Sequence, residues 1–440
     1  MNTVVLTGFG YKSRDIKIHG FPDYLQIKAL TGFNKYGDGD QEGIGQKCFN
    51  HGFKNIVIIK KNKEEIFMKL KFIMGLLLIL FVAGSSNLFA SEEGSVSDKD
   101  LEAIAKALKG IKIEGLWYLS YQDGEEKNGT DYNRFTLKRG YLTVKKSIMP
   151  MLSARLTADI SQVKDENSND DGSIAVRLKY LYGQFHMNDM GILTKPNIEF
   201  GLVHIPWLDF EEHINMFRMQ DTMFVERNHM FNSADTGITF NTLLGGTIDD
   251  DYQKRVTKYY PGRYGSMSVG VYNGGGYHAS EKNENKVIEG RLTVRPLPDV
   301  LPGLQVSYFG VAGKGNSSTE PDWRTNLGFI SYEQEFITLT GQYYWGKGSQ
   351  GGSDEYEKKG HSIFAELKPM DKISLIGRYD HFDPNTDVSD DANDRYIFGV
   401  AYMLDKPHHN MILVDYDTVK YDQADVKDDK RIQVTLQVTF

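Results

Sequence analysis

Residues 207–233 carry an unusual density of ionisable side chains among apolar ones. Asp209, Glu211, Glu212, Asp221 and Glu226 stand against Arg218 and Arg227, and His213 and His229 can titrate. Between them lie large apolar residues from Leu208 and Phe210 to Met230 and Phe231. Such a mixture suits the handling of ions and polar solutes in a narrow passage. An ion entering a neck sheds part of its water, and fixed charges or hydrogen-bond donors must replace it; their sign sets the preference. A second set of cations, Arg155, Arg177, Lys179, Arg291, Arg295, Arg378 and Arg431, lies on segments of period two and would face that stretch from a wall. Acidic stretch opposite basic wall would make a transverse field. The same charges could equally form structural pairs that hold the stretch in place.

Other chemistries are poorly supplied. The only cysteine is Cys48, so residues beyond it can form no disulfide. The histidines are scattered, with no G-x-S-x-G or H-E-x-x-H, so an enzyme is the weakest of the function classes. No cofactor or metal is expected. The acidic run at 383–394 lacks the glycine and final Glu of a calcium loop. Of 51 Lys+Arg and 59 Asp+Glu in the chain, 12 and 7 lie in residues 1–90, leaving 91–440 with a net charge of −13. An exported chain this acidic is a poor partner for nucleic acid.

The elements that would position these residues are strands. Period-two segments fall at 112–122, 132–145, 151–162, 173–186, 197–206, 234–244, 265–273 and 287–296. They continue at 304–312, 324–334, 337–347, 359–369, 373–382, 395–403, 410–421 and 431–440. Sixteen is an even number, as a closed barrel with both ends on one side requires. Short links alternate with long polar ones, which is the habit of outer-membrane barrels. By that parity 207–233 is the third external loop, and its apolar anchors predict that it folds inward onto the wall. Two links fit poorly: 187–196 is intermediate in length, and 245–264 is long and charged where a short periplasmic turn is due.

Face assignments agree with lipid outside and water inside. Arg155 and Asp159 share a face, as do Glu289, Arg291 and Arg295, and Arg378 and Asp380. Lys138 and Arg139 are adjacent and cannot both obey the alternation, so a bulge is expected there. Trp117, Tyr118, Tyr121, Tyr180, Tyr182, Tyr343, Tyr344, Trp345, Tyr396 and Tyr402 suit interfacial girdles. The last strand, R-I-Q-V-T-L-Q-V-T-F, puts Ile432, Val434, Leu436, Val438 and Phe440 on one face. It resembles the closing strand of bacterial outer-membrane barrels, which implies that Phe440 belongs to the signal read by the assembly machinery.

Upstream, Lys69 and Lys71 precede an apolar run at 72–82 and a small, polar exit at 83–90. That order is a signal peptide over 68–90. Residues 1–67 are then expected to be a non-native leader ahead of the true start at Met68. Residues 91–110 should form a periplasmic N-terminal helix, with Leu101, Ile104, Ala105 and Leu108 on one face and Gly110 as its stop. The barrel would occupy 111–440.

Phe135-Thr-Leu-Lys-Arg-Gly-Tyr-Leu142, Gly201-Leu-Val-His-Ile-Pro206, Gly270-Val-Tyr-Asn-Gly274 and Glu289-Gly-Arg-Leu-Thr-Val294 resemble the phosphate-selective porin (O and P) family. The resemblance implies a homotrimer of sixteen-stranded barrels with an anion-conducting lumen. Phosphate selectivity in that family rests on many lumenal Arg and on Lys or Arg at the neck. This chain departs in its net acidic third loop. The expected class is all-β, a transmembrane antiparallel barrel of about 16 strands in the bacterial outer membrane. Its partners would be membrane lipid, lipopolysaccharide and small solutes or ions. The expected function is a passive channel for small hydrophilic solutes, anions such as phosphate among them; a non-conducting structural or adhesive barrel is the alternative.

Overall fold

The computed structural model describes residues 109–163, 171–405 and 409–440, together with the backbone at 12–15 and 28–31. The chain divides into two compact units, 1–96 and 97–440. In the first, β1 (Lys12–Asp15) and β2 (Lys28–Thr31) form a short antiparallel pair. The proposed signal segment and the helix expected over 91–110 lie outside the described residues, apart from a turn at Lys109 and Gly110.

The second unit is a closed barrel of sixteen antiparallel strands, each paired with its neighbours in sequence. The strands are β3 (Ile111–Glu125), β4 (Asp131–Met149), β5 (Leu152–Gln162), β6 (Ile174–His186), β7 (Leu193–His204) and β8 (Ala234–Leu244). There follow β9 (Gly265–Tyr272), β10 (Val287–Val294), β11 (Leu304–Lys314), β12 (Asp322–Glu333) and β13 (Ile337–Lys347). The last are β14 (Glu357–Met370), β15 (Ile373–Asp383), β16 (Asn393–Asp405), β17 (Asn410–Tyr421) and β18 (Asp429–Thr439). β18 closes on β3, with Thr439 opposite Leu116 and Lys430 opposite Glu125. All sixteen expected strands are present.

The faces divide as the alternation requires. On β18, Ile432, Val434 and Phe440 are exposed, whereas Gln433 and Thr435 are fully buried inside. Outward apolar residues recur around the ring: Val176 and Leu181, Ile288 and Leu292, Phe398 and Val400. An apolar surface that encircles a closed barrel belongs in hydrocarbon, and the barrel leaves no strand edge unpaired there. Phe440 completes the ladder by exchanging backbone hydrogen bonds with Gly115. Its ring lies over Gly115, where a Cβ would sit 2.2 Å from it, and stacks edge-on against Trp117 at 5.4 Å. The girdle assignment needs correction at four positions. Trp117, Tyr343, Trp345 and Tyr402 face outward, but Tyr118, Tyr180, Tyr182 and Tyr344 are buried. Aromatic type alone does not tell an interfacial ring from one that packs inside.

One end of the barrel carries the longer links and the other the short turns. The intermediate link at 187–196 shortens, because β7 starts at Leu193 and takes up the extra length in a bulge between Thr194 and Asn197. The long link at 245–264 is an insertion at the turn end. It contains a helix, α3 (Asp250–Arg255), capped by the Asp249 carboxylate, which accepts from the Asp251 and Tyr252 amides. The insertion is tied to neighbouring turns by Tyr252 Oη donating to the Glu333 carbonyl, by Arg255 paired with Glu335 and by Arg263 with Asp299.

The third long link folds inward as expected. It holds α1 (Leu208–Ile214) and α2 (Phe224–Arg227), here numbered in chain order ahead of α3. Trp207, Phe210, Phe224 and Phe231 pack on wall residues Phe309, Trp323, Phe329 and Tyr344 in one apolar cluster. Phe217 and Met219 join Tyr118, Phe364 and Leu413 in a second. The loop is therefore anchored inside the barrel by burial, in the way a helix is anchored to a core.

Candidate functional site: the lumen and its third loop

Two bulges set the charge of the wall. Tyr118 of β3 pairs with Arg139 and Leu119 with Leu137, so Lys138 is the extra residue on β4. Thr157 of β5 pairs with Tyr180 and Ala158 with Leu178, so Lys179 is the extra residue on β6. Each bulge turns two successive side chains inward, Lys138 with Arg139 and Lys179 with Tyr180. Strict alternation would put one of each pair in lipid, and a Lys or Arg at the midplane there costs about 2–4 kcal/mol.

The result is a cationic strip along β4, β5 and β6. Arg139 and Arg177 meet the fully buried Asp159 at 3.0 and 2.8 Å. Tyr277, from the 273–286 loop, donates to the same carboxylate at 3.0 Å. Lys179 Nζ reaches no carboxylate within 4 Å among the described residues. It donates to Tyr141 Oη at 3.2 Å and lies 4.5 Å from that ring's centre. Arg155 donates to Thr157 and, at 3.0 Å, to His204 Nε2, with its guanidinium over the Tyr180 ring. His204 Nδ1 faces Glu199 at 2.9 Å, which assigns its proton to that nitrogen. The strip thus sets four cations against the single acid Asp159.

The loop charges are mostly spent on structure. Arg218 bridges Glu212 at 2.7 Å and Glu226 at 3.0 Å within the loop. Asp221 reaches Arg395 and Arg431 on the wall at 3.1 and 3.2 Å, and both arginines also hold Asp417. Arg227 pairs with Asp380 at 3.0 Å, which in turn holds Arg378. Glu211 is buried and accepts from Trp207 Nε1 at 2.7 Å. Burial pushes its carboxyl up to about 7, against the opposing charge of Arg378 and the Trp207 bond. Asp209 accepts from Tyr260 Oη at 2.5 Å and lies 3.4 Å from His213 Nδ1. Burial disfavours its charge, yet His213 and Tyr260 together hold it well below the usual carboxylate range.

Of the charges in the loop, Glu212, Arg218, Asp221, Glu226 and Arg227 serve as structural pairs. Arg291, Arg295 and Arg378 lie on the inner face of the wall, each almost wholly buried there. Arg295 donates to the Gly262 carbonyl of the insertion, and Arg378 to the Thr222 carbonyl of the loop. Arg155, Arg177 and Lys179 come together on one strip, while Arg431 belongs to the Asp221 network. Arg395 and Asp417 are residues the site needs that were not singled out, and Lys138, Arg139 and Asp159 were noted only for the bulge and for the face they share. The Lys138–Arg139 doublet carried a local signal through the bulge it demands, and Asp159 through the face it shares with Arg155.

No family model matches the chain, and no curated protein matches its sequence. Solved structures do share its fold. OmpF of Salmonella typhi, in complex with daunomycin, superposes with a TM-score of 0.52 at 10% identity, over 75% of this chain and 97% of that one. An anion-selective porin from Comamonas acidovorans gives 0.52 at 12% identity, over 75% and 99%. OprB of Pseudomonas putida, at high pH, gives 0.51 at 9% identity, over 80% and 100%. The architecture is the porin fold. With its apolar outer band, the closed barrel places the chain in the bacterial outer membrane, the home of barrels built this way.

Proposed function

We propose that the chain is a passive diffusion channel for small hydrophilic solutes that favours anions at its neck. The observation that carries this is the strip of Arg139, Arg155, Arg177 and Lys179 with Asp159 as its one acid. Of the loop's acids, Glu212 and Glu226 are committed to Arg218 and Asp221 to Arg395 and Arg431, while Glu211 is held by Trp207 and Asp209 by Tyr260 and His213. An anion at the neck exchanges water for guanidinium and ammonium donors; a cation finds none of that compensation. Inorganic phosphate falls within the favoured class, as the resemblance to phosphate-selective porins implies, and association as a trimer belongs to the same resemblance.

Planar-bilayer recording tests the channel. Purified, folded protein should give stepwise conductance in KCl, and the reversal potential in a salt gradient should carry the anion sign. A cation sign overturns the anion preference. The competing function is a closed structural barrel, favoured by the burial of Lys179 inside the wall and of Tyr118 in a cluster with Phe217 and Met219 of the loop. Folded protein without conductance steps would select it.

A further inference from the structure

At the turn end of the lumen, a cavity of about 400 Å³ lies between the wall, α1 and the insertion. That size falls within the range of small-molecule sites, about 300–1,000 Å³. Its lining holds five cations, Lys145, Arg155, Lys195, Lys258 and Arg291, and two acids, Glu199 and Asp209. Both acids are engaged already, with His204 and with Tyr260. Among the described residues only Lys145 of the five has a carboxylate partner, Glu114 at 2.7 Å. Arg291 is 2% exposed, and its Nε and Nη1 donate to the Pro206 carbonyl and to the Ser266 and Thr293 hydroxyls. A guanidinium held this deep without a counter-ion is costly, and an anion in the cavity would offset that cost.

The same wall carries a row of neutral groups. Gln184 donates to Asn197 at 2.9 Å, Asn241 to Asn197 at 3.5 Å and Ser268 to Asn241 at 2.7 Å. Side-chain amides offer acceptors as well as donors. A simple inorganic anion draws mainly on donors, whereas a solute with several hydroxyl groups uses both. Tyr259 of the insertion packs on His213 at a tilt of 44°, with ring centres 3.9 Å apart, and adds an aromatic surface. Lys258 lies beside it, 5.4 Å from the centre of the ring.

We propose that this cavity is a binding subsite for small hydroxylated organic anions of the sugar-acid and hydroxycarboxylate class. It rests on the channel proposed above and narrows its solute class. The cations hold the carboxylate, and the amide row reads the hydroxyls. The insertion supplies Lys258 and Tyr259 and so converts a plain turn into one side of the site.

The test uses the full chain in a planar bilayer in KCl, with gluconate, inorganic phosphate or glucose added in turn. Gluconate should interrupt the current at lower concentration than phosphate, and glucose should not interrupt it at the same concentration. Lys258→Gln should weaken the gluconate block about tenfold, the scale of one charge-assisted hydrogen bond. Asn241→Ala should weaken the gluconate block and leave the phosphate block alone. Lys195→Gln, at an exposed side chain, serves in place of Lys258→Gln if that variant fails to fold. Conductance steps in KCl without gluconate block overturn the subsite, as does equal block by glucose or an unchanged Asn241→Ala. Loss of all steps in the unmodified chain is a different failure, that of the channel itself.

Discussion

Lys138 Nζ donates to the Met219 carbonyl at 2.7 Å and joins wall strand β4 to the middle of the third loop. It also donates to the Gln220 carbonyl at 2.8 Å and to Gln433 Oε1 at 3.0 Å. Three acceptors around one ammonium make a clamp, which exists only because the bulge turns Lys138 inward beside Arg139. Lys138→Met should free the loop's middle, at a cost of about 1.5–3 kcal/mol for hydrogen bonds from a charged donor. Single-channel recordings should show added current noise, and an unchanged trace would count against the clamp.

Asp417 is 3% exposed and serves both Arg395 and Arg431. Asp417→Asn leaves two partly buried guanidinium groups with Asp221 alone. Removing one member of a buried ion network costs about 3–5 kcal/mol. The thermal transition of the folded barrel, followed by its heat-modifiable migration on gels, should fall accordingly.

Trp207 is fully buried between Phe309 and Phe329, with ring centres 5.6 and 5.3 Å away. Trp207→Ala should destabilise the protein by about 3–5 kcal/mol, the usual range for a large aromatic removed from a core. Because Trp207 opens the inward loop, single-channel conductance should rise as the loop detaches. A stability loss with conductance unchanged would show that the loop does not narrow the passage.

The loop should also respond to pH. The Glu211 carboxyl sits at about 7 when buried, above its ordinary value, so the neutral form is the one that packs. Its contribution is fully present below the ordinary carboxylate range and is lost as pH rises through about 7. His213 works in the same direction. Burial opposes its charge, but Asp209 outweighs that and raises it, so its stabilisation is also lost with rising pH. Thermal transitions should therefore be higher at pH 5 than at pH 8. Glu211→Gln should shrink the difference and Glu211→Gln with His213→Asn should shrink it further; a difference of unchanged size would refute this origin.

Selectivity should follow the strip rather than the arginine count. Neutralising Arg155, Arg177 and Lys179 together should move the reversal potential toward cations. Arg378→Gln should lower stability instead, because Arg378 lies under the loop and holds Asp380 and the Thr222 carbonyl. A selectivity change from Arg378→Gln alone would place it in the passage after all.

The amino-acid sequence by itself determined the barrel. Period two is a local property, and β18 shows it plainly, since Ile432 to Phe440 alternate between lipid and lumen whatever their neighbours are. The bulge at Lys138–Arg139 was legible for the same reason, as two adjacent charges cannot both alternate. The anchors in 207–233 likewise predicted a loop that folds inward, because so many apolar residues need cover. Tertiary structure alone decided which charges are spent and which remain. Asp221 and Arg431 are 210 residues apart, and their pairing depends on where the loop crosses the closed wall. Arg378 and Arg177 look alike along their strands; only the loop's position buries one and leaves the other half-exposed. The insertion at 245–264 looked like an exception to the link rule. Its meaning emerged when the fold brought Tyr260 to Asp209, a contact made by the inward fold of the third loop and not by spacing along the chain.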